Sequence, residues 1–248
     1  MGDRPVAVIT GASSGIGTAI AARMAADGYD LALGARRHQR LQELAALLEQ
    51  QHGVKVYTQA VDLRQESQIL DWFAAIAAQF NRLDVLVNNA GLGYRETLTQ
   101  GDTERWRETL DVNVLALCIC TREAVKLMRQ LNQDRGHVVH ISSMSGHRVP
   151  SSGMYSASKF AVRALTEGLR QELRADKSSI RISSISPGFV ETEFAEKYTG
   201  SQEQAAQVYE QFPVLQASDI AGGVAYILAQ PSHVQVHDLL LRPTQQTS

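Results

Sequence analysis

Tyr155 and Lys159 are the residues in this sequence whose types and spacing best suit chemistry. They are four positions apart. A pattern that predicts a helix begins at residue 156, directly after Tyr155, and continues to residue 174. Side chains at that spacing lie one turn apart on the same helix face. A neighbouring ammonium favours the phenolate and lowers the pKa of a tyrosine from ~10, so the phenol could exchange protons near neutral pH. A solvated surface pair is the alternative interpretation, because the motif alone is common by chance.

A glycine-rich turn near the N-terminus predicts a phosphate site. Gly11, Gly15 and Gly17 lie between a strand pattern at 6–10 and a helix pattern at 18–26. Glycines let the backbone approach a pyrophosphate, and the helix N-terminus offers free N–H groups with a positive dipole end. The spacing is G-x-x-x-G-x-G and departs from the generic G-x-G-x-x-G pattern. A plain strand-to-helix turn is the competing interpretation.

The end of the second predicted strand, 30–35, indicates which dinucleotide binds. A carboxylate at this point would hold the 2′-hydroxyl of the adenosine ribose. The sequence has Ala35 here, followed by Arg36 and Arg37. A guanidinium suits a 2′-phosphate, so the pattern predicts NADP, with Arg36, nearer the strand, contributing more than Arg37. The alternative is that both arginines only solvate a loop.

Alternating strand and helix patterns predict an α/β fold, a single domain over residues 1–248. It is a doubly wound Rossmann fold with a mostly seven-stranded parallel sheet. The predicted strands are 6–10, 30–35, 54–61, 83–87, 136–141, 180–185 and 236–241. The predicted helices are 18–26, 41–51, 66–80, 103–131, 156–174, 200–211 and 219–229. Ligands bind beyond the carboxyl ends of such strands. The loops after the first four strands should therefore meet at one edge.

Two of the helix patterns carry further information. In 41–51, one apolar stripe is expected to consist of Leu41, Leu44, Leu47 and Leu48. In 103–131, residues 112–120 are apolar nearly all round, which predicts burial on two faces. Asn113 is the strongly polar residue there, and a buried amide needs partners. A structural hydrogen bond and a catalytic role are both open for it.

Composition excludes several classes of protein. The 248 residues are 44% apolar and 20% charged with a net charge of −2, which argues against nucleic acid as the main partner. No apolar run is long enough to span a membrane, and the N-terminus lacks a signal-peptide core. Cys118 and Cys120 are expected to be small apolar residues in a reducing compartment. No histidine pattern indicates a catalytic metal. We therefore expect a soluble, cytoplasmic protein.

Six motifs, in order along almost the whole chain, make this sequence similar to the short-chain dehydrogenase/reductases. They are residues 10–17 (TGASSGIG), 88–91 (NNAG), Asn113, Ser142-Ser143, Tyr155-x-x-x-Lys159 and Pro187-Gly188. More narrowly, residues 145–149 (SGHRV), 165–173 (LTEGLRQEL) and 241–244 (LRPT) resemble the NADP-dependent carbonyl reductases. That branch includes ketosteroid reductases, farnesol dehydrogenases and serine-type 3-hydroxy-acid dehydrogenases.

The resemblance implies roles for particular residues. Tyr155 would be the general acid and Lys159 would lower its pKa and hold the nicotinamide ribose, while Asn113 would anchor a water of the proton relay. A serine would hydrogen-bond the substrate oxygen. The family's usual spacing between this serine and the tyrosine selects Ser142, whereas the motif itself selects Ser143. We favour Ser143, because the length of a loop varies more readily than a position at the end of a strand. The implied cofactor residues are Gly11, Ser13, Ser14, Gly15, Ile16, Gly17, Arg36, Arg37, Asp62, Leu63, Asn89, Gly91, Tyr155, Lys159, Pro187, Gly188, Val190 and Thr192. Tyr94 and His147 join Ser143 and Tyr155 as expected substrate contacts.

The expected reaction is hydride transfer between NADPH and a ketone or aldehyde, or the reverse from an alcohol. A sugar-nucleotide epimerase would need another glycine spacing and a longer C-terminal domain. A catalytically silent NADP-binding regulator and a reductase specific for 3-oxoacyl or 3-hydroxy acids remain alternatives. The segments 93–95, 147–153 and 194–212 should line the pocket, and they fit a lipid ketone or a small hydroxy acid. Apolar faces on 112–120 and 160–173 predict a homo-oligomer, and burial of these faces within one subunit is the alternative. The resemblance implies that two such helices of each subunit pack as a four-helix interface in a dimer or tetramer, although the ending lacks the family's common Asp-Gly-Gly.

Overall fold

The computed structural model describes residues 4–150 and 153–247, and a seven-stranded sheet forms its centre. The strands are β1 (Val6–Thr10), β2 (Asp30–Ala35), β3 (Val56–Ala60), β4 (Val85–Asn88), β5 (His137–Ile141), β6 (Arg181–Pro187) and β7 (Asp238–Leu241). Their order is β3-β2-β1-β4-β5-β6-β7 and every pairing is parallel. This is the predicted doubly wound α/β fold.

Helices cover both faces of the sheet. They are α1 (Gly15–Ala26), α2 (His38–His52), α3 (Glu66–Phe80), α4 (Thr103–Leu110), α5 (Ala116–Leu131), α6 (Met154–Ala175), α7 (Glu193–Thr199), α8 (Gln202–Glu210) and α9 (Ala217–Leu228). One buried cluster packs α1, α2 and α9 against the sheet and another packs α3, α5 and α6. Ala7 and Ile9 of β1 belong to the first cluster and Val8 to the second. Alternate side chains of a strand point to opposite faces, which explains this division.

Several predicted boundaries differ from the observed ones. The predicted helix 103–131 is interrupted by a π-helical turn, Asp111–Leu115, which joins α4 to α5. The predicted helix 200–211 corresponds to α8. It is preceded by α7, which was not predicted. Leu41, Leu44 and Leu48 are buried as expected, but Leu47 is 47% exposed, so its place in the apolar stripe was wrong.

The carboxyl ends of the parallel strands collect the loops that carry most of the motifs. β1 and β4 are neighbours, and the chain leaves β1 towards β2 and β4 towards β5 on opposite sides. This is the topological switch point where α/β sheets open a crevice for ligands. In the described part of the chain, no helix has the length and apolar character to cross a membrane.

Two histidines of β5 are buried as neutral groups. His137 Nε2 lies 2.8 Å from Ser183 Oγ, and His140 Nδ1 lies 2.9 Å from Thr166 Oγ1. Burial, with Arg181 nearby, lowers the pKa of His137 to about 3. Burial also lowers the pKa of His140 to about 3, with smaller contributions from Lys159 and Arg170. Both side chains are therefore uncharged in the folded protein at neutral pH.

This burial predicts loss of stability in mild acid. The unfolded chain takes up a proton at each histidine below its ordinary pKa of 6.5, whereas the folded chain does so only near 3. The contribution to stability is therefore complete above pH 6.5 and falls as the pH decreases, by about 1.4 kcal/mol per pH unit for each histidine.

Urea unfolding at about pH 7.5, 6 and 5 measures this slope. The pKa of the Glu193 carboxylate is lowered to about 2, so this group adds its own loss of stability only at lower pH. His140→Gln should reduce the slope by half while keeping groups that can bond the neighbouring threonines. A free energy of unfolding that stays constant from pH 7.5 to 5 would contradict the prediction.

Candidate active site

The glycine-rich loop after β1 lies against the loop after β4. Asn89 Nδ2 donates to the carbonyl oxygens of Thr10, at 2.9 Å, and Gly11, at 3.2 Å. A Cβ on Gly17 would lie 2.5 Å from the Gly11 carbonyl oxygen and 2.6 Å from Asn89 Nδ2. Gly11 itself has φ +66°, a conformation that glycine adopts without steric cost. Because these glycines have no side chain, the two loops can pack closely beside the crevice.

Most of the predicted cofactor residues line one cleft above these loops. They are Gly11, Ser13, Ser14, Gly15, Ile16, Arg36, Arg37, Asp62, Leu63, Asn89, Gly91, Tyr155, Lys159, Pro187, Val190 and Thr192. Two predicted residues are not among the described lining residues. Gly17 packs against the Gly11 carbonyl oxygen and the Asn89 side chain. Gly188 packs against Gln246 and Arg242, and a Cβ added at Gly188 would lie 2.8 Å from the Arg242 Cβ.

Lys159 is held at the carboxyl end of β5. Its Nζ donates to the carbonyl oxygen of Ile141 at 3.0 Å and lies 5.7 Å from the centre of the Tyr155 ring. The residue is 5% exposed, and burial lowers the pKa of Lys159 to about 8. Burial therefore removes water from the ammonium, and one hydrogen bond to a carbonyl oxygen only partly compensates for that loss.

Tyr155 differs from the expectation based on its spacing to Lys159. Burial raises the pKa of Tyr155 to about 12, a hydrogen bond from Ser143 lowers it, and Tyr198 raises it further. The expected lowering by Lys159 is therefore not found, because desolvation of the phenolate outweighs the other effects. At neutral pH the phenol keeps its proton.

Ser143 and Ser142 point to different surroundings. Ser143 is hydrogen-bonded to Tyr155, and its Oγ accepts from the Ser145 backbone N–H at 3.1 Å. Ser142 is 5% exposed, its Oγ has no hydrogen-bond partner among the described residues, and it lies near Gly146 on the other side of the strand end. An interaction with the tyrosine side chain is therefore found for Ser143 and, among the described residues, not for Ser142.

Asn113 lies behind the cleft in the π-helical turn. Its Oδ1 accepts from the Leu92 backbone N–H at 2.9 Å, and its Nδ2 donates to the Leu92 carbonyl oxygen at 2.7 Å and to Ser158 Oγ at 2.9 Å. The side chain thus has a structural hydrogen-bonding role. It joins the loop after β4 to α6.

The two arginines after β2 have different environments. Arg37 donates to Ser13 Oγ at 3.2 Å, to Ser14 Oγ at 2.6 Å and to Glu193 Oε2 at 2.8 Å. The side chain of Arg36 is 60% exposed, with its Nη1 3.9 Å from Glu108 Oε1. Arg37 is committed to the phosphate loop and to α7, whereas Arg36 lines the cleft and makes a longer, more exposed ion pair.

Tyr94 and His147, both expected at the substrate, make side-chain contacts within the protein. The Tyr94 hydroxyl donates to Glu108, and its ring lies under Arg105. His147 Nε2 lies 2.9 Å from Asp238 Oδ2 and 3.1 Å from Ser186 Oγ, which ties the loop after β5 to β7. Neither is among the described residues that line the cleft. Of the predicted pocket segment 147–153, residues 151 and 152 lie outside the described residues.

Sequence reasoning expected residues 194–212 to line the pocket, but it predicted neither the helix α7 nor a role for Glu193. Phe194 and Tyr198 lie 5.2 Å and 5.8 Å from Tyr155 between ring centres, and they stack on each other at 5.7 Å. Glu193 lines the cleft beside them. The signal was an acid directly after Thr192 and two aromatic residues at helical spacing, but the helix is too short for a clear periodicity.

A dinucleotide cradle that shares its cleft with a tyrosine–lysine pair defines the class: a Rossmann-fold oxidoreductase. The family model for short chain dehydrogenases matches residues 5–203. The chain belongs to the short-chain dehydrogenase/reductase family. Among the described residues, no group of three or more His, Cys, Asp or Glu side chains could hold a metal ion.

Similar proteins cover nearly the whole chain. Dehydrogenase/reductase SDR family member 11 of Bos taurus is 45% identical over 98% of this chain and 97% of its own length. Farnesol dehydrogenase of Aedes aegypti is 40% identical over 96% and 95%. An alcohol dehydrogenase of the archaeon Thermococcus sibiricus, solved in complex with 5-hydroxy-NADP, has a TM-score of 0.87 at 32% identity and covers 99% of both chains.

Proposed function

We propose that this protein transfers a hydride between NADPH and a ketone or aldehyde, or in reverse from the corresponding alcohol. The observation that carries the proposal is the position of Tyr155 and Lys159, whose Nζ lies 5.7 Å from the Tyr155 ring, in the cleft that the phosphate loop also lines. The archaeal structure with bound 5-hydroxy-NADP supports the choice of cofactor. When bound, the nicotinamide supplies or accepts the hydride.

Tyr155 acts as the proton donor in reduction. With its pKa raised to about 12 it carries its proton at neutral pH, the form needed to protonate a carbonyl oxygen as negative charge develops there. Ser143, which interacts with the tyrosine side chain, would orient the same carbonyl. Lys159 Nζ, 3.0 Å from the Ile141 carbonyl oxygen, is within the cleft to hold the ribose. Asn113 fixes the helix turn that presents them.

The substrate side of the cleft favours an apolar carbonyl compound over a small hydroxy acid. Phe194 and Tyr198 cover Tyr155 with two stacked rings, which bury apolar surface well and offer no charge to a carboxylate. The relative named farnesol dehydrogenase supports this choice. NADPH oxidation with apolar ketones and with 3-oxo acids, at equal concentration, compares the two classes.

Tyr155→Phe should keep the fold and lose ~10²–10⁴-fold in kcat, the usual worth of general acid–base catalysis. Ser143→Ala should also reduce kcat, because it removes the hydrogen bond to the tyrosine oxygen. Steady-state NADPH oxidation with an accepted ketone measures both.

Ser142→Ala is the matched control, since its hydroxyl is buried without a described partner and makes no bond to Tyr155. Its kcat should stay close to that of the parent. Near-parental turnover in Tyr155→Phe would remove the tyrosine from the mechanism. A greater loss in Ser142→Ala than in Ser143→Ala would reverse the assignment of the serine.

Arg36 is proposed to bind the 2′-phosphate of NADPH. Its donors are less committed than those of Arg37, and Ala35 has no carboxylate to repel the phosphate. One hydrogen bond to a charged group contributes roughly 1.5–3 kcal/mol, so Arg36→Ala should lower kcat/KM for NADPH by about ten- to a hundredfold and change NADH little. Arg37→Ala should weaken both cofactors, because it disturbs the Ser13 and Ser14 loop. A parent that prefers NADH would contradict the assignment.

The exposed apolar residues of α4 to α6 support a homo-oligomer. Leu115 is 55% exposed, and Leu110, Phe160 and Leu165 are each between a third and two fifths exposed. Large apolar side chains grouped on neighbouring helices mark an interaction surface. The proposed interface pairs these helices with the same helices of a second copy.

Sedimentation at micromolar concentration should give a mass that is a multiple of 27.2 kDa. Leu115→Glu should shift the protein towards the monomer, because it places a charge in the buried centre of the interface. Leu47→Glu is the matched control, since Leu47 is similarly exposed on α2, away from this surface. A parent protein that sediments as a monomer would show that the surface is not an interface between copies.

A further inference from the structure

We propose that Glu193 is a positioning residue that fastens α7 across the cofactor cleft and thereby slows cofactor release. The inference rests on the proposed binding of NADPH in this cleft. Glu193 is the first residue of α7, directly after Thr192, whose Oγ1 caps the helix by accepting from the Phe194 N–H at 3.2 Å. We call its ion pairs with the opposite wall the α7 latch.

The α7 latch joins the two walls of the cleft. Glu193 Oε2 accepts from Arg37 Nη1 at 2.8 Å and Oε1 accepts from Arg40 Nη1 at 2.7 Å. Arg37 is itself bonded to Ser13 and Ser14 of the phosphate loop. A continuous chain of charge-assisted hydrogen bonds therefore runs from the phosphate loop to α7. Both Glu193 and Arg37 line the cleft, so the latch spans the cleft in which the proposed dinucleotide would bind.

The charges in this cluster favour a closed latch at physiological pH. Hydrogen bonds from Arg40 and Arg37 lower the pKa of Glu193 to about 2, so the carboxylate is ionised. Its side chain is 37% exposed and those of Arg37 and Arg40 are 35% and 50% exposed. Ion pairs with this exposure are individually weak and screened by salt. The latch can therefore open for exchange of the cofactor.

The same helix covers the catalytic tyrosine. Phe194, next to Glu193, packs on the Tyr155 ring, and Tyr198 lies one turn further along α7. The backbone of Tyr198 accepts from the Arg95 N–H at 2.9 Å, which fixes the far end of α7 to the loop after β4. Closing α7 over the cofactor therefore also positions the aromatic wall against Tyr155.

A competing role for Glu193 predicts the opposite result. A carboxylate bonded to Arg37 and Arg40 could compete with the 2′-phosphate of NADPH for these guanidinium groups. Removing it would then tighten NADPH and leave NADH unchanged, since NADH has no 2′-phosphate. If Glu193 is a latch, it slows the release of NADPH and NADH alike. Its hydrogen bonds join two parts of the protein and do not involve the 2′-phosphate. Comparing the two cofactors separates the roles.

The test is the dissociation rate of each cofactor, measured by stopped-flow fluorescence when bound NADPH or NADH is displaced by excess oxidised cofactor. Glu193→Gln should release NADPH about three- to tenfold faster and NADH by the same factor, in keeping with the strength of partly exposed ion pairs. Arg40→Met should act in the same direction, although Arg40 is not among the described residues that line the cleft. The double variant should be no faster than Glu193→Gln alone, because Arg40→Met breaks one of the two ion pairs that Glu193→Gln already breaks.

Glu196→Gln is the matched control, with the same change of charge on an exposed face of the same helix. It should leave both dissociation rates and the melting temperature at parental values. Unchanged release in Glu193→Gln, tighter NADPH, or an Arg40→Met effect confined to NADPH would each overturn the latch. If the parent binds neither cofactor, the proposed function fails first, which is a distinct result.

Discussion

The site depends on the pairing of one buried amide. Asn113 is 2% exposed, and an amide so buried must find hydrogen-bond partners within the protein. It uses both backbone groups of Leu92 and the hydroxyl of Ser158, and that hydroxyl in turn donates to the Tyr155 carbonyl oxygen at 2.7 Å. The loop after β4, the π-helical turn and the first turn of α6 are thereby joined at one point. Tyr155 and Lys159 project from the turn that this network holds.

Burial moves the pKa values of the tyrosine and the lysine in opposite directions. The phenol rises to about 12 and the ammonium falls to about 8, because removing water disfavours the charged form of each. Both changes favour the neutral pair over phenolate with ammonium. Spacing along a helix predicts that the two side chains share a face, but the balance between attraction and desolvation depends on how much water the surrounding elements exclude.

Local patterns were sufficient for much of the fold and for the phosphate loop. The boundaries of β1, β2 and α3 coincide with the predicted ones, because each is a short apolar run or a periodic helix pattern that is bounded by turn residues or polar residues. The glycine spacing after β1 indicated a close approach of backbones, and an added Cβ at Gly17 would indeed meet backbone and side-chain atoms. Ends of other elements differ by a few residues, since helix and strand termini are set by capping and pairing that periodicity does not describe.

The sequence by itself determined most of the elements, the parallel α/β class and the group of loops that must meet at one edge, because each of these follows from burial patterns within short segments. Only the tertiary structure decided which side chains pair across that edge. The fold brings His147 within 2.9 Å of Asp238, and it brings Arg37 to Glu193, which is 156 residues away. Partners so distant are chosen by the order of strands in the sheet and by the path of α7. No local pattern of residues encodes that choice, so contacts made across the cleft could be read only from the folded chain.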